Sequence, residues 1–332
     1  MKKAFITGAA GFLAGHLVEE LLKEGYEIVG LVKPHHNVER IKSQGVKVVR
    51  GFLTDPMSYE MEVPEGATVF HCYALSSGAK ETEEVYMKVN AEGTKNLLDV
   101  CEKKKVSKVV HISSVSVIGP REEGEGAVTE ETEARPQNYY GKSKLKAESY
   151  VKEFHEKTGV PVVVLRLSTL YGPRAHKGAA FYRLFKMVAK YPVQAMIDGG
   201  GHKYEFNFIK NVVSGVMLAK DSEKPFVIYN LGDVEKKNYR QVLKVIAKEV
   251  NSGAKFVTVP SIAFQPFAKV GDMIGKVKGK RFAFDTRTLK SLKGSWNTSY
   301  DKAIEELGFS QVYSLEEGVK ETVEYMRKEG MI

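Results

Sequence analysis

Lys3-Ala4-Phe5-Ile6-Thr7-Gly8-Ala9-Ala10-Gly11-Phe12-Leu13-Ala14-Gly15 passes from a short apolar run, through two glycines, into a pattern with apolar residues at helical spacing. A strand, a tight turn and a helix in that order form the opening unit of a doubly wound parallel sheet. A turn without side chains lets backbone N–H groups approach a pyrophosphate, and the helix N-terminus adds positive potential. Gly8 and Gly11 are the residues this requires. Ala14 stands at the third small position, where helix packs closely on strand.

The rest of the chain repeats the alternation. Glu27–Val32, Lys47–Gly51, Thr68–Ala74, Lys108–Ser113 and Val162–Leu167 are short β-branched or apolar runs that predict buried strands. Gly15–Glu24, Val89–Lys104 and Ser143–Lys157 carry helical periodicity between them. The fold class is therefore α/β, with ligands bound beyond the carboxyl ends of the strands. After Pro173 the pattern loosens into a helix-like stretch at Phe181–Ala189, a glycine turn at Gly199–Gly201 and strand character at Phe226–Leu231. The expected division is a dinucleotide-binding domain, 1–172 with return segments within 203–232, and a smaller C-terminal substrate-binding domain, 173–202 and 233–332.

With 332 residues, 43% of them hydrophobic, the chain can bury a large core. Two cysteines, Cys72 and Cys101, fit free thiols in a reducing, cytoplasmic setting. Lys2 and Lys3 precede apolar residues, but Thr7, Gly8 and Gly11 interrupt them, which argues against a signal peptide. No uninterrupted apolar run is long enough to span a bilayer, so no stable membrane insertion is expected. The net charge of +9 comes from lysines interspersed with glutamates, the pattern of solvated helix faces, and no nucleic-acid partner is expected. Glu122–Glu133 is an acidic surface loop. His35 and His36 lack further ligands nearby, so no metal site is expected.

An acid at the end of the second strand would bind the adenosine 2′-hydroxyl and repel a 2′-phosphate. Here the stretch reads Leu31-Val32-Lys33-Pro34, so NADP(H) is favoured, with NAD(H) as the alternative. Further on, Tyr140 and Lys144 sit four residues apart and share one helix face. A tyrosine with a pKa near ~10 is a poor acid–base at neutral pH unless a neighbouring ammonium favours its phenolate. Tyr140 is thus the candidate general acid and base, with Lys144 as its partner. Ser114, after the fifth strand, can donate to a substrate oxygen on which charge changes.

In this order, the glycine loop, the serines and Tyr140/Lys144 resemble the extended short-chain dehydrogenase/reductase superfamily, in its NAD-dependent epimerase/dehydratase-like branch. The resemblance implies a Rossmann sheet. It covers essentially the whole chain and includes His71-Cys72-Tyr73-Ala74, the helix from Asn90 to Asn96, and Leu165-Arg166 through Tyr171-Gly172-Pro173. By resemblance, Ser114, Tyr140 and Lys144 carry catalysis. Ala10, Gly11, Phe12, Leu13, Leu53, Ala74, Asn90 and Thr169 face the cofactor, Lys144 also reaches the nicotinamide ribose, and the chain forms a homodimer through its two long helices.

Departures bear on the substrate. Gly51-Phe52-Leu53 lacks the family's usual acid near the adenine. Tyr204 stands where nucleotide-sugar epimerases carry an arginine, and Thr169 replaces their asparagine. Phe284-Asp285-Thr286-Arg287 and Lys302 to Phe309 look closer to 3β-hydroxysteroid dehydrogenase and dihydroflavonol reductase-like members. The first reading is accordingly an NAD(P)-dependent oxidoreductase that moves a hydride between nicotinamide and a secondary alcohol or ketone of a small-molecule substrate. The alternative is a nucleotide-sugar epimerase or dehydratase with retained NAD, whose diphosphate the basic residues Lys276, Lys278, Lys280, Arg281 and Arg287 would suit. A third is a non-catalytic dinucleotide-binding redox sensor. The apolar segment Val259–Val277 is expected to be core, or else a lid or a membrane-touching surface.

Overall fold

The computed structural model describes residues 2–79, 81–120, 126–203, 205–250, 253–278, 286, 289 and 297–332. Glu122 to Glu125, Tyr204, Lys280, Arg281, Phe284, Asp285 and Arg287 lie outside the described residues.

The apolar runs form one seven-stranded sheet, each buried nearly end to end except the edge strand Lys47–Arg50, where Val49 alone is buried. Its strands are β1 (Lys3–Thr7), β2 (Glu27–Val32), β3 (Lys47–Arg50), β4 (Thr68–His71), β5 (Lys108–Ser114), β6 (Val162–Leu167) and β10 (Phe226–Leu231). All pairings are parallel, in the order β10-β6-β5-β4-β1-β2-β3. Period-two alternation separates the two faces: Val163 and Leu165 join one core cluster, Val162 and Val164 the other. Strand order reverses between β1 and β4, which opens a crevice at their carboxyl ends. Thr7 is there the register partner of His71, and His71 of His111.

Helices α1 (Phe12–Lys23), α2 (Glu39–Ser43), α3 (Glu83–Tyr86), α4 (Gly93–Lys103) and α5 (Tyr139–Thr158) fill the crossovers. The single helix expected at Val89–Lys104 is two pieces, a wide π turn at Met87–Glu92 and then α4. At the join, a Cβ on Gly93 would lie 3.0 Å from the Leu53 side chain, so the helix sits hard against the loop after β3.

Two small sheets were not foreseen. β7 (Leu170–Tyr171) pairs with β9 (Asn207–Phe208), and β8 (Val193–Ile197) with β11 (Lys255–Val259). The latter pair is largely exposed along β11, so its sequence carries no run of buried residues to announce it. Around them lie α6 (Ala180–Lys190), α7 (Ile209–Ala219), α8 (Tyr239–Glu249) and α9 (Gln265–Lys278), then helices Asp301–Leu307 and Leu315–Lys328. The apolar segment after Val259 is not core: in α9 and the turn before it, Ile262, Phe267, Val270 and Met273 are exposed. Among the described residues, no helix is long and apolar enough to cross a membrane.

Candidate active site

At the end of β1 the chain turns through Gly8, whose φ of +71° suits glycine. The Gly8 N–H donates to Leu31 O at 2.8 Å and that of Gly11 to Gly8 O at 2.7 Å. The turn leaves no room for side chains. A Cβ on Gly8 would lie 3.1 Å from Tyr73 Cα, and one on Gly11 2.9 Å from Gly8 O. Gly11 is the N-cap of α1 and brings no side-chain cap, so the first-turn N–H groups stay available to an anion. This bare, tightly drawn cradle fits a dinucleotide pyrophosphate. Ala10 and Phe12 are half-buried beside it, whereas Leu13 turns into the core. Ala14 is buried against the sheet, as its small size predicts.

The adenosine edge differs from expectation. Lys33 is not free in solvent: its ammonium lies 5.2 Å above the centre of the Tyr73 ring. The loop it belongs to is pinned by Arg50, which donates to the carbonyls of Pro34 and His36. The Leu53 side chain is fully buried under α4, where it packs against Gly93. Its neighbour Phe52 is the exposed ring at that edge, a feature that reading the missing acid alone did not single out.

Ser114 and Tyr140 come together through a glycine. Asn138 caps α5 by accepting from the Gly141 N–H at 2.7 Å, and a Cβ on Gly141 would fall 2.2 Å from Ser116 O. The first turn of α5 can therefore press against the loop after β5, which brings the Tyr140 phenol beside the Ser114 hydroxyl. Ser114 Oγ also accepts from the Ser116 N–H at 3.2 Å. Burial pushes the phenol up to about 12, the neighbouring Ser114 hydroxyl opposes this, and Tyr86, ring-to-ring at 6.4 Å, adds to it. The phenol thus stands above its ordinary value, not below it as the Lys144 pairing predicts.

Lys144 explains the difference. It is 1% exposed, and its ammonium donates to Ile112 O at 2.6 Å and lies 3.4 Å from His111 Nε2. Burial lowers it to about 8, opposed by Glu148 one turn on. Behind it stand two buried histidines, with ring centres 5.0 Å apart, that the sequence did not single out. His71 bridges Thr7 at 2.7 Å and Thr94 at 2.8 Å, while His111 Nδ1 has no hydrogen-bond partner among the described residues. Burial and the nearby Lys144 hold both well below the usual histidine range, so both are neutral. Glu148 in turn accepts two bonds from Arg166, at 3.0 and 2.8 Å, and one from Ser113. This buried pair fixes α5 on β5 and β6.

Three remaining candidates are placed as follows. Ala74 is half-buried after β4. Asn90 is buried and spends its amide on Leu75 N, Leu75 O and Ser143 Oγ, so it shapes the loop beside Ala74 rather than presenting a free group. Thr169 is exposed, and its carbonyl accepts from Asn207 N at 2.9 Å. Among the described residues no cluster of histidine, cysteine and carboxylate side chains could hold a metal.

Comparison with known proteins bears on this geometry. The NAD dependent epimerase/dehydratase family matches residues 4–232. The protein y4nG of Sinorhizobium fredii is 29% identical over 265 residues, 78% of this chain but 63% of that protein, so the match spans less than two thirds of it. Bacillus subtilis YtcB, named as an uncharacterized UDP-glucose epimerase, is 28% identical over 262 residues, 74% of this chain and 81% of that one. The crystal structure of UDP-glucuronic acid 4-epimerase from Bacillus cereus in complex with NAD superposes with a TM-score of 0.76 and 25% identity, covering 98% of this chain and 99% of that one.

Proposed function

This chain belongs to the NAD dependent epimerase/dehydratase family, and from that premise we propose that it inverts a secondary-alcohol carbon of a UDP-linked sugar, with NAD(H) held throughout the cycle. The observation that carries the reading is the close approach of α5 to the loop after β5, which sets Tyr140 beside Ser114 at the same sheet edge as the bare Gly8–Gly11 cradle. The names of YtcB and of the Bacillus cereus enzyme support a sugar substrate over the simple alcohol or ketone expected first. NAD in the latter supports NAD(H); the NADP(H) preference read from Lys33 gains no support, since that ammonium is engaged by Tyr73.

A nicotinamide dinucleotide bound through the Gly8–Leu13 turn would supply the hydride acceptor and donor. This chain handles the proton and the oxygen. Ser114 donates to the sugar oxygen, and Tyr140, in its phenolate form, takes the hydroxyl proton as the carbon is oxidised to the ketone, then returns it from the phenol after the ketone has presented its other face. Lys144, with a pKa of about 8, is mostly protonated at neutral pH, and its ammonium is directed to the strand behind α5 rather than to Tyr140. His111 and Ile112 hold that charge in place. Elimination of water would need a second acid and base, and the loop after Ser114, Val115-Ser116-Val117, offers no carboxylate. Inversion is therefore favoured over dehydration.

The sugar would lie against the C-terminal part, 173–202 and 233–332, with the dinucleotide on the remainder. A homodimer through α4 and α5, in the cytoplasm, completes the proposal. The test is incubation with UDP-glucose and UDP-glucuronic acid, followed by NMR of the sugar. Appearance of the C4 epimer without net change in nicotinamide absorbance is expected. Stoichiometric reduction of added NADP⁺ by a simple alcohol, with no epimer formed, would return the chain to the dehydrogenase reading.

A further inference from the structure

We propose that the outward face of α9 seats this protein on an anionic lipid bilayer surface. Ala268 and Gly271 are buried, so the helix rests on the body through small residues. Its large apolar residues face the other way: Phe267 is 68% exposed, Val270 49% and Met273 62%, with Ile262 in the preceding turn at 70%. Spaced three apart, Phe267, Val270 and Met273 form one stripe on the helix. A helix that packs on its own core directs such a stripe inward. Here it stands in water, an arrangement that marks an interaction surface.

Charge selects the occupant. Lys269 is exposed on the same helix, and Lys276, Lys278, Lys280 and Arg281 follow in sequence, while Asp272 is the sole acid from 265 to 281. A second copy would bring two such basic segments together. A surface of anionic headgroups with acyl chains beneath satisfies both features, the stripe sinking to the headgroup boundary and the lysines meeting phosphate. The helix lies in the plane of the surface, in keeping with the absence of any spanning helix among the described residues.

The experiment is flotation of the full chain with vesicles of phosphatidylglycerol and phosphatidylcholine, and with phosphatidylcholine alone. Binding to the anionic vesicles, weakened by salt, is expected. Phe267→Glu with Met273→Glu, and separately Lys269→Glu with Lys276→Glu, should each weaken it by about tenfold or more while the melting temperature stays unchanged, since all the described side chains among them are exposed. Absence of vesicle binding overturns the proposal, as does equal binding by the variants. So does a wild-type dimer in sedimentation that the Phe267/Met273 variant dissociates, because the stripe would then belong to a second copy.

Discussion

The sheet edge around Gly8, Ser114 and Tyr140 and the outer surface around Gly201, β11 and α9 handle backbone and side chains in opposite ways. At the sheet edge, backbones meet so closely that glycine is obligatory: a Cβ at Gly8 would meet Tyr73 Cα, and one at Gly141 would meet Ser116 O. Position there is enforced by contact. In the second region Gly201 has nothing within 4 Å of a Cβ, β11 is largely exposed, and α9 turns its large residues outward. The contrast teaches that backbone contact enforces position at the first edge, where the proposed chemistry lies, while the second leaves side chains exposed, as the proposed membrane contact requires.

Tyr140→Phe should break the first edge most completely. Turnover is expected to fall about a thousandfold, with the dinucleotide content of the purified chain unchanged, as read by steady-state assay and by quantifying the released nucleotide. Gly141→Ala comes next. The added methyl must push α5 off Ser116 O, separating Tyr140 from Ser114, and a displacement of that size costs about a hundredfold in rate. Gly201→Ala sharpens the comparison: the same change in the second region should leave turnover and melting temperature unaltered.

Lys144→Met separates catalysis from stability. Turnover should fall steeply. Yet the wild-type ammonium is held at about 8 against an ordinary 10.5, so the unfolded chain binds more protons than the folded one between those values. Wild-type stability therefore rises with pH across that window, and the group is destabilising below it. The methionine variant should lack this rise and be more stable at pH 7, by at most about 3 kcal/mol, as read by urea unfolding at pH 7 and pH 10. In the wild type, activity should decline as pH passes above about 8 and the Lys144 charge is lost. Lys33→Ala has the smallest expected effect, about 0.5–1 kcal/mol from the lost contact with Tyr73, and should leave the identity of the bound dinucleotide unchanged.

Legibility follows the same divide. β1, β2, β6 and β10 are continuous apolar runs, and their bounds can be read from the sequence because both faces of the sheet are covered. The cradle and the Tyr140–Lys144 spacing are local patterns and equally legible. Contacts that depend on register are not. His71 meets His111 only because β4 and β5 pair in one particular alignment, and Lys144 turns toward them rather than toward Tyr140. Lys33 read as favouring NADP(H) because Tyr73, forty residues on, cannot be placed beneath it from sequence. The segment after Val259 looked like core because its composition is apolar, and composition does not reveal which way a helix faces.

The central claim is that the cofactor is held and returned within one cycle. The measurement that tests it most directly is denaturation of the purified chain, followed by mass spectrometry of what it releases. Near-stoichiometric NAD per chain, retained through gel filtration, is the result this account predicts. A chain that emerges empty, or carrying readily exchanged NADP(H), would contradict it.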